Sequence, residues 1–143
     1  MFPHITLLVP FLAAPDLDVA VEARLRAVLR RFRTFDYELA RLARFPDEGV
    51  LYFAPEPATP FVDLVRALSA EFPDYPPYDG AHDTIVPHAT IADSDDAALL
   101  ARLLTELEPH VPIPARAAEV ALVERGTDLR WRPRASYPLG SLE

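Results

Sequence analysis

The chain has 143 residues and half of them are hydrophobic, so it is long enough to bury a core as one domain. Its net charge of -8 would repel a long polyanion, which disfavours a protein that wraps duplex DNA. Cysteine is absent, which excludes disulfides, thiolate catalysis and cysteine-ligated zinc. No apolar stretch approaches the roughly 20 residues that span a bilayer, and no basic leader precedes one. We therefore expect a cytoplasmic protein without a membrane partner.

The first half of the chain predicts three strands and two helices. Alternation in HITLLV predicts a strand with His4 and Thr6 on the same side. Helical spacing follows in DLDVAVEARLRAVLRRF, where Asp16 or Asp18 would stabilise the start. TFDYELARL and VLYFA, joined by the turn PDEG, predict a hairpin. A second helix is predicted from Thr59 onwards, because a proline follows at the first helical position.

The second half predicts a similar succession of elements. PDYPPYDGAHD, which contains His82, predicts a loop, and a solvated position is favoured for that histidine. HATIAD predicts a strand, and a helix is predicted from about Ser94 to Leu107. AAEVALVERGTDLRWRPRASY predicts two strands joined by a turn that begins at Arg125.

Each half begins with a strand in the frame Pro-His-x-Thr, which indicates an internal duplication. We therefore predict an α+β fold with duplicated strand-helix-strand-strand units, pseudo-two-fold symmetry and a central cleft. No linker separates the halves, so residues 1–143 are expected to form a single bilobal domain. Its lobes would cover roughly residues 1–80 and 81–143.

The two Pro-His-x-Thr strands carry the residues expected to do chemistry. Residues i and i+2 of a strand project from the same face, so His4 lies beside Thr6 and His88 beside Thr90. Imidazole titrates near neutral pH, so one histidine can act as base while the other acts as acid. Threonine hydroxyls can donate to phosphate oxygens whose charge grows in the transition state. This set suits a phosphodiester or cyclic phosphate and needs no metal or other cofactor.

The segments PHITLLVPF and PHATIAD contain the paired His-x-Thr motifs, and weaker signals lie in FPDEGVLYFAPEP, PPYDGAHDTIVPH and RWRPRASYPLG. Together they indicate a similarity that extends over nearly the whole chain. In these segments the sequence resembles the two-histidine (2H) phosphoesterases, including the bacterial 2′-5′ RNA ligase-like proteins that act as RNA 2′,3′-cyclic phosphodiesterases. The resemblance implies that His4 and His88 are the general acid/base pair and that Thr6 and Thr90 hold the phosphate. Which histidine is the base depends on the orientation of the substrate.

The amino terminus departs from the pattern of that family. Its members usually carry a strand and a helix before the first motif, whereas His4 here follows only three residues. Either the chain is truncated, or the missing strand is supplied otherwise, for example by a second chain. An uncovered sheet edge favours such pairing, so a homodimer through that edge is one candidate arrangement.

A second group of residues is a candidate for substrate binding. The alternation in LRWRPRASY predicts a strand with Arg130, Arg132 and Arg134 on one face. This face suits an anionic substrate, but it equally suits a charged edge strand that discourages aggregation. Tyr52 and Trp131 could stack on a base, although aromatic residues in strands are more often part of the core.

Three functions remain open at this point. The favoured one is metal-independent hydrolysis of a 2′,3′-cyclic phosphate on a small nucleotide or a short RNA end. The alternatives are a module that binds phosphorylated ends without turnover, and phosphoester transfer of the 2′-5′ RNA ligase type. A metal site is disfavoured, because the two motif histidines have no carboxylate or cysteine at ligand spacing.

Overall fold

The structure, a computed structural model, describes residues 4–8, 11–12, 14–45, 47–75 and 85–140. Short 3-10 turns precede the first helix and follow the third. The helices and strands are, in chain order, α1 (Val19–Leu29), β1 (Phe35–Phe45), β2 (Val50–Glu56), α2 (Thr59–Glu71), β3 (Ala89–Asp93), α3 (Ala97–Leu107), β4 (Ile113–Ala117), β5 (Glu119–Arg125) and β6 (Trp131–Pro138).

The strands form two antiparallel sheets. One sheet has four strands in the order β3-β2-β1-β4, and the other is the hairpin of β5 and β6. An isolated antiparallel bridge from Ile5 to Ala89 adds the first motif segment to the edge of β3 that β2 leaves open. The four-stranded sheet takes β1 and β2 from the first half of the chain and β3 and β4 from the second. The α+β class is therefore confirmed, and the two predicted lobes share one sheet.

Side-chain caps fix where two of the helices begin. The carboxylate of Asp18 accepts a hydrogen bond from the backbone N–H of Val21 at 2.9 Å, so Asp18 rather than Asp16 caps α1. Asp96 caps α3 in the same way and accepts from the backbone N–H of Ala98 and Leu99. Each cap satisfies backbone donors that have no partner within the helix.

The turn between β1 and β2 depends on a glycine. Gly49 has a φ of +66°, and a Cβ at this position would lie 2.5 Å from the carbonyl oxygen of Ser94. The Gly49 carbonyl accepts a hydrogen bond from the Ser94 N–H at 3.0 Å. The turn is thereby tied to the end of β3, the strand that carries the second motif. A side chain at residue 49 would push these two segments apart.

The main core lies between the first two helices and the β5–β6 hairpin. Tyr137 of β6 is 1% exposed, and its hydroxyl donates a hydrogen bond to Glu22 of α1 at 3.2 Å. Helix α2 also reaches the larger sheet, where Phe61 meets the rings of Phe35 and Tyr37 edge-on at 5.1 and 4.9 Å. The buried residues that form the main cluster are Leu25, Val28, Leu29, Leu64, Leu68, Phe72, Tyr137 and Leu139.

Most of the elements predicted from local patterns are present. The three helices, the β1–β2 hairpin, β3 and the β5–β6 hairpin are confirmed. Two differences stand out: the first motif takes part in a single bridge rather than a regular strand, and β4 was not predicted. The loop around His82 and the end of the predicted first strand at Val9 lie outside the described residues.

Candidate functional site

The bridge between Ile5 and Ala89 brings the two His-x-Thr segments side by side. Each of these residues is the middle member of its motif, so the two motifs run antiparallel and are centred on each other. Ala89 is 4% exposed and Ile5 is half-buried, and both belong to the core side of this sheet edge. Side chains alternate along extended chain, so the histidines and threonines occupy the other side.

The register of the bridge decides which motif residues are neighbours. His4 lies opposite Thr90, and Thr6 lies opposite His88. His4 and Thr90 are exposed, whereas Thr6 and His88 are half-buried. Directly opposed residues in antiparallel chains have Cβ atoms roughly 4.5–5.5 Å apart. The four predicted site residues therefore form one compact group with the histidines at diagonal corners.

The imidazole of His88 is oriented by the backbone just before it. Its Nδ1 lies 2.8 Å from the carbonyl oxygen of Val86. A carbonyl oxygen can only accept a hydrogen bond, so Nδ1 carries the proton and donates it. In the neutral ring Nε2 is then the nitrogen with the lone pair, which is the form that a general base requires.

Two aromatic rings hold His88 from the neighbouring strands. Phe45 of β1 meets the imidazole edge-on with ring centroids 5.1 Å apart, and Tyr52 of β2 does so at 5.5 Å. Phe45 and Tyr52 are stacked on each other at 4.4 Å. Such contacts restrict the ring of His88 to few orientations, because each tilt of one ring must be matched by the others.

Tyr52 belongs to the site, but not as an exposed platform for a base. It is 7% exposed, and its strand pairing places it beside Thr90. Phe45 was not among the predicted site residues. In the sequence, only the alternation of β1 points to Phe45. Its position beside Tyr52 is known only from the register of the hairpin, which pairs Phe45 with Val50 and Ala43 with Tyr52.

The other predicted binding residues lie on the β5–β6 hairpin, in the second sheet. Arg132 donates two hydrogen bonds to the carboxylate of Asp128, one of them at 3.1 Å. The hydrogen bond from Arg132 holds the pKa of Asp128 below its ordinary value, and the same bond raises the pKa of Arg132. The backbone N–H of Arg130 also donates to Asp128, at 3.1 Å. The guanidinium of Arg132 and the backbone of Arg130 are thus both hydrogen-bonded to the turn of their own hairpin.

Trp131 and Arg134 complete this face of the hairpin. Trp131 is 46% exposed, with the guanidinium of Arg125 6.0 Å from its ring centroid. Arg134 donates to Glu124 at 2.8 Å and to the carbonyl of Leu17 at 2.7 Å. The guanidinium groups of Arg132 and Arg134 therefore pair with acids of the same hairpin, which fits a charged strand better than a free surface for an anionic substrate.

Among the described residues, no group of three or more histidine, aspartate and glutamate side chains is arranged to hold a metal ion. None of the helices that the structure describes is long and apolar enough to cross a membrane.

An α+β fold that sets two His-x-Thr segments antiparallel at one sheet edge defines a two-histidine class of site. In agreement, a family model described as the 2′-5′ RNA ligase superfamily matches residues 1–129. The chain therefore belongs to the 2′-5′ RNA ligase superfamily of two-histidine phosphoesterases. The match includes both motifs, whereas Arg130, Trp131 and Arg132 lie beyond it. A comparison with curated proteins finds no match.

Proposed function

We propose that this protein hydrolyses a 2′,3′-cyclic phosphate on a nucleotide or a short RNA end, using its own side chains for acid, base and charge stabilisation. The observation that carries the proposal is the antiparallel pairing of the two motifs through Ile5 and Ala89. This pairing supports a site in which two imidazoles and two hydroxyls act on one phosphate. Membership of the 2′-5′ RNA ligase superfamily supports a phosphoester substrate.

The reaction places one proton transfer on each side of phosphorus. A water oxygen forms the new bond to phosphorus and loses a proton to the nitrogen of one histidine. The bond from phosphorus to one ribose oxygen breaks, and that oxygen takes a proton from the other histidine. The entering and leaving oxygens lie in line on opposite sides, which suits His4 and His88 at diagonal corners. Either histidine serves as the base, according to the orientation of the substrate.

The threonines stabilise the charge that builds up on the phosphate. Thr6 and Thr90 occupy the other diagonal of the group, so each can donate its hydroxyl hydrogen to a non-bridging oxygen. A pair of extended segments with the sequence His-x-Thr, centred on x, is locally two-fold symmetric. This supports the duplicated, pseudo-two-fold arrangement, in which each half of the chain contributes one acid/base residue and one donor.

The direct test is turnover of adenosine 2′,3′-cyclic phosphate by the purified protein in the presence of EDTA. His4→Ala and His88→Ala should each reduce kcat by about two to four orders of magnitude, the range for loss of a general acid or base. His110→Ala is the matched control, because His110 is exposed in the turn after α3. Wild-type turnover in either motif variant would contradict the proposal. Binding without product would favour the non-catalytic module, and joining to a hydroxyl-ended RNA would favour ligase-type transfer.

A further inference from the structure

Strand register places Arg41 on the same face of the sheet as the motif residues. Arg41 of β1 is paired with Ala54 of β2, and Tyr52, two residues before Ala54, is paired with Thr90 of β3. Paired residues of antiparallel strands share a face, and so do residues i and i+2 of one strand. The irregularity in β1 between Leu39 and Arg41 does not affect this deduction, which passes through β2.

Arg41 and His88 also lie in one row across the strands. Phe53 is paired with Ala89, so the next step along both strands sets Ala54 beside His88. The row therefore consists of Arg41, Ala54 and His88. Because neighbouring strands are about 4.8 Å apart, the backbones of Arg41 and His88 are roughly 10 Å apart. The side chain between the two ends is the single methyl group of Ala54, which is 6% exposed, so a ligand that reaches both ends must pass over this small buried side chain.

The charges around Arg41 distinguish it from the other arginines of this sheet. Arg116 is on the same face but forms an ion pair with Asp36 at 3.7 Å, and Arg44 is on the opposite face. Arg41 is exposed and, among the residues that the structure describes, its guanidinium has no ion pair or hydrogen bond. Glu38 and Glu56 are on the same face, but in the described part of the chain neither pairs with Arg41. The exposed guanidinium on the face that carries His88 is therefore available to an anion.

We propose that Arg41 binds a second phosphate of the substrate, the one on the 5′ oxygen of the nucleoside that carries the cyclic phosphate. This rests on the proposed function. A 2′,3′-cyclic phosphate occupies the 3′ end of a strand, so the next phosphate is attached to the 5′ oxygen of the same nucleoside. The distance from His88 to Arg41 exceeds the span of one phosphate group and suits two phosphates on one nucleotide. The site thereby selects an RNA end over a nucleotide without a 5′-phosphate.

The experiment compares two probes that differ in one group: adenosine 2′,3′-cyclic phosphate and the same compound with a 5′-phosphate. Arg41→Gln should lower kcat/KM about 10- to 100-fold for the 5′-phosphorylated probe, as for loss of a hydrogen bond between charged groups, and leave the other probe unchanged. Arg41→Lys should keep part of the preference, because it retains the charge but not the planar fork. Arg44→Gln, on the same strand and the opposite face, is the control and should behave like the wild type.

The same pair of probes separates failure of this inference from failure of the proposed function. If both probes are hydrolysed and Arg41→Gln changes them equally or not at all, the assignment of Arg41 is overturned and the hydrolase remains. If neither probe is hydrolysed, calorimetric titration measures the affinity of wild type and Arg41→Gln for each probe. The assignment of Arg41 is supported if the variant binds the 5′-phosphorylated probe more weakly than the wild type does and binds the other probe equally well. Equal binding of the 5′-phosphorylated probe by wild type and variant, or no binding of that probe by the wild type, overturns the assignment. Circular dichroism establishes that each variant is folded.

Discussion

Ile5 and Ala89 come from opposite halves of the chain and face each other in an antiparallel bridge at the edge of β3. Each lies at the centre of a His-x-Thr motif, so the geometry of the candidate site depends on this one pairing. In the proposed reaction, a phosphate bound between the motifs reacts only when the attacking water and the two histidines are correctly placed around it. We therefore expect the bridge to affect the rate of the proposed hydrolysis more than overall stability.

The first prediction weakens the bridge without touching a motif histidine or threonine. Ile5→Gly removes a half-buried side chain and loosens the backbone, at a cost of roughly 0.5–1 kcal/mol for the glycine alone. We expect kcat/KM for a cyclic nucleotide to fall at least about tenfold, since the catalytic geometry is held less often. Ile5→Val keeps a β-branched side chain and is the control. A loss of activity in Ile5→Gly no larger than in Ile5→Val would speak against a positioning role for the bridge.

The second prediction concerns the rings that hold His88. Phe45→Leu removes the edge contact with the imidazole and the stack on Tyr52. In the proposed mechanism Phe45 orients His88 and has no direct role in binding the substrate, so we expect kcat to fall while KM changes little. Phe45→Tyr keeps a ring and should restore the rate.

The control for this prediction is Phe53→Leu. Phe53 lies on β2 and shares the face of Ala89, which is the face opposite to Tyr52 and His88. Phe45 and Phe53 are both half-buried, so each variant removes part of a partly buried ring and the two should lose similar stability. An equal loss of kcat in the two variants would show that Phe45 acts through the fold as a whole.

Local sequence pattern accounts for most of the elements and for the four motif residues. Alternation and helical spacing act within a few residues, so they are readable without knowledge of the rest of the chain. Phe45 and Arg41 were not predicted because their places depend on pairing between strands. That register is set by the Gly49 turn and by the irregularity after Leu39, neither of which the hydrophobic pattern reveals.

The missed strand β4 has a similar explanation. Its sequence, IPARA, contains Pro114 and follows Pro112, and proline argues against a strand when only the local pattern is considered. Strand β4 is at the end of the strand order, where one side of the backbone has no ladder partner in that sheet. Edge position is what makes the proline tolerable, and it is known only once the whole sheet is assembled.

The third prediction tests a pair of like charges. Glu38 of β1 is directly opposite Glu56 of β2, and both side chains are exposed. Like charges at directly opposed positions are destabilising, by a fraction of about 1 kcal/mol. Glu38→Gln should therefore raise the free energy of unfolding, measured in urea, by about 0.2–1 kcal/mol at low salt. The gain should shrink at high salt, where the repulsion is screened. A gain that is independent of salt would point to another cause.

The fourth prediction uses Trp131, the single tryptophan of the chain, as a reporter of the β5–β6 hairpin. The side chain of Arg132 holds the pKa of Asp128 below its ordinary value of 3.8. A lowered carboxyl pKa stabilises the folded form above the ordinary pKa, and that stabilisation is lost as pH falls through the lower, folded value. Trp131 emission should therefore change below about pH 4.

Asp128→Asn should remove that acid-dependent change in Trp131 emission, because the amide does not titrate. Far-ultraviolet circular dichroism of the same samples separates opening of the hairpin from unfolding of the whole chain. An identical emission transition in wild type and Asp128→Asn, at unchanged circular dichroism, would mean that the ion pair with Arg132 does not govern the turn.

The last prediction concerns alkaline stability. Burial raises the pKa of Tyr137 above its ordinary value of 10.0, and the charge of Glu22 raises it further. A raised tyrosine pKa means that the folded state favours the neutral phenol, so this stabilisation is complete below the ordinary pKa and is lost as pH rises through the folded value. Tyr137→Phe keeps the ring but loses the hydrogen bond to Glu22, which should cost about 0.5–1.5 kcal/mol near pH 7.

Above pH 10 the stability advantage of the wild type should shrink, because phenylalanine does not ionise whereas the wild type must bury a phenolate or unfold. The difference in unfolding free energy between wild type and Tyr137→Phe should therefore stay constant up to about pH 10 and narrow as the pH rises further. Burial also raises the pKa of Tyr37. Part of the loss of unfolding free energy at alkaline pH should therefore persist in Tyr137→Phe, and this loss should be smaller in the double variant that also carries Tyr37→Phe. Urea unfolding at a series of pH values measures this. Parallel curves for wild type and Tyr137→Phe would show that ionisation of Tyr137 does not limit stability, and that the helix α1 contact tolerates the phenolate.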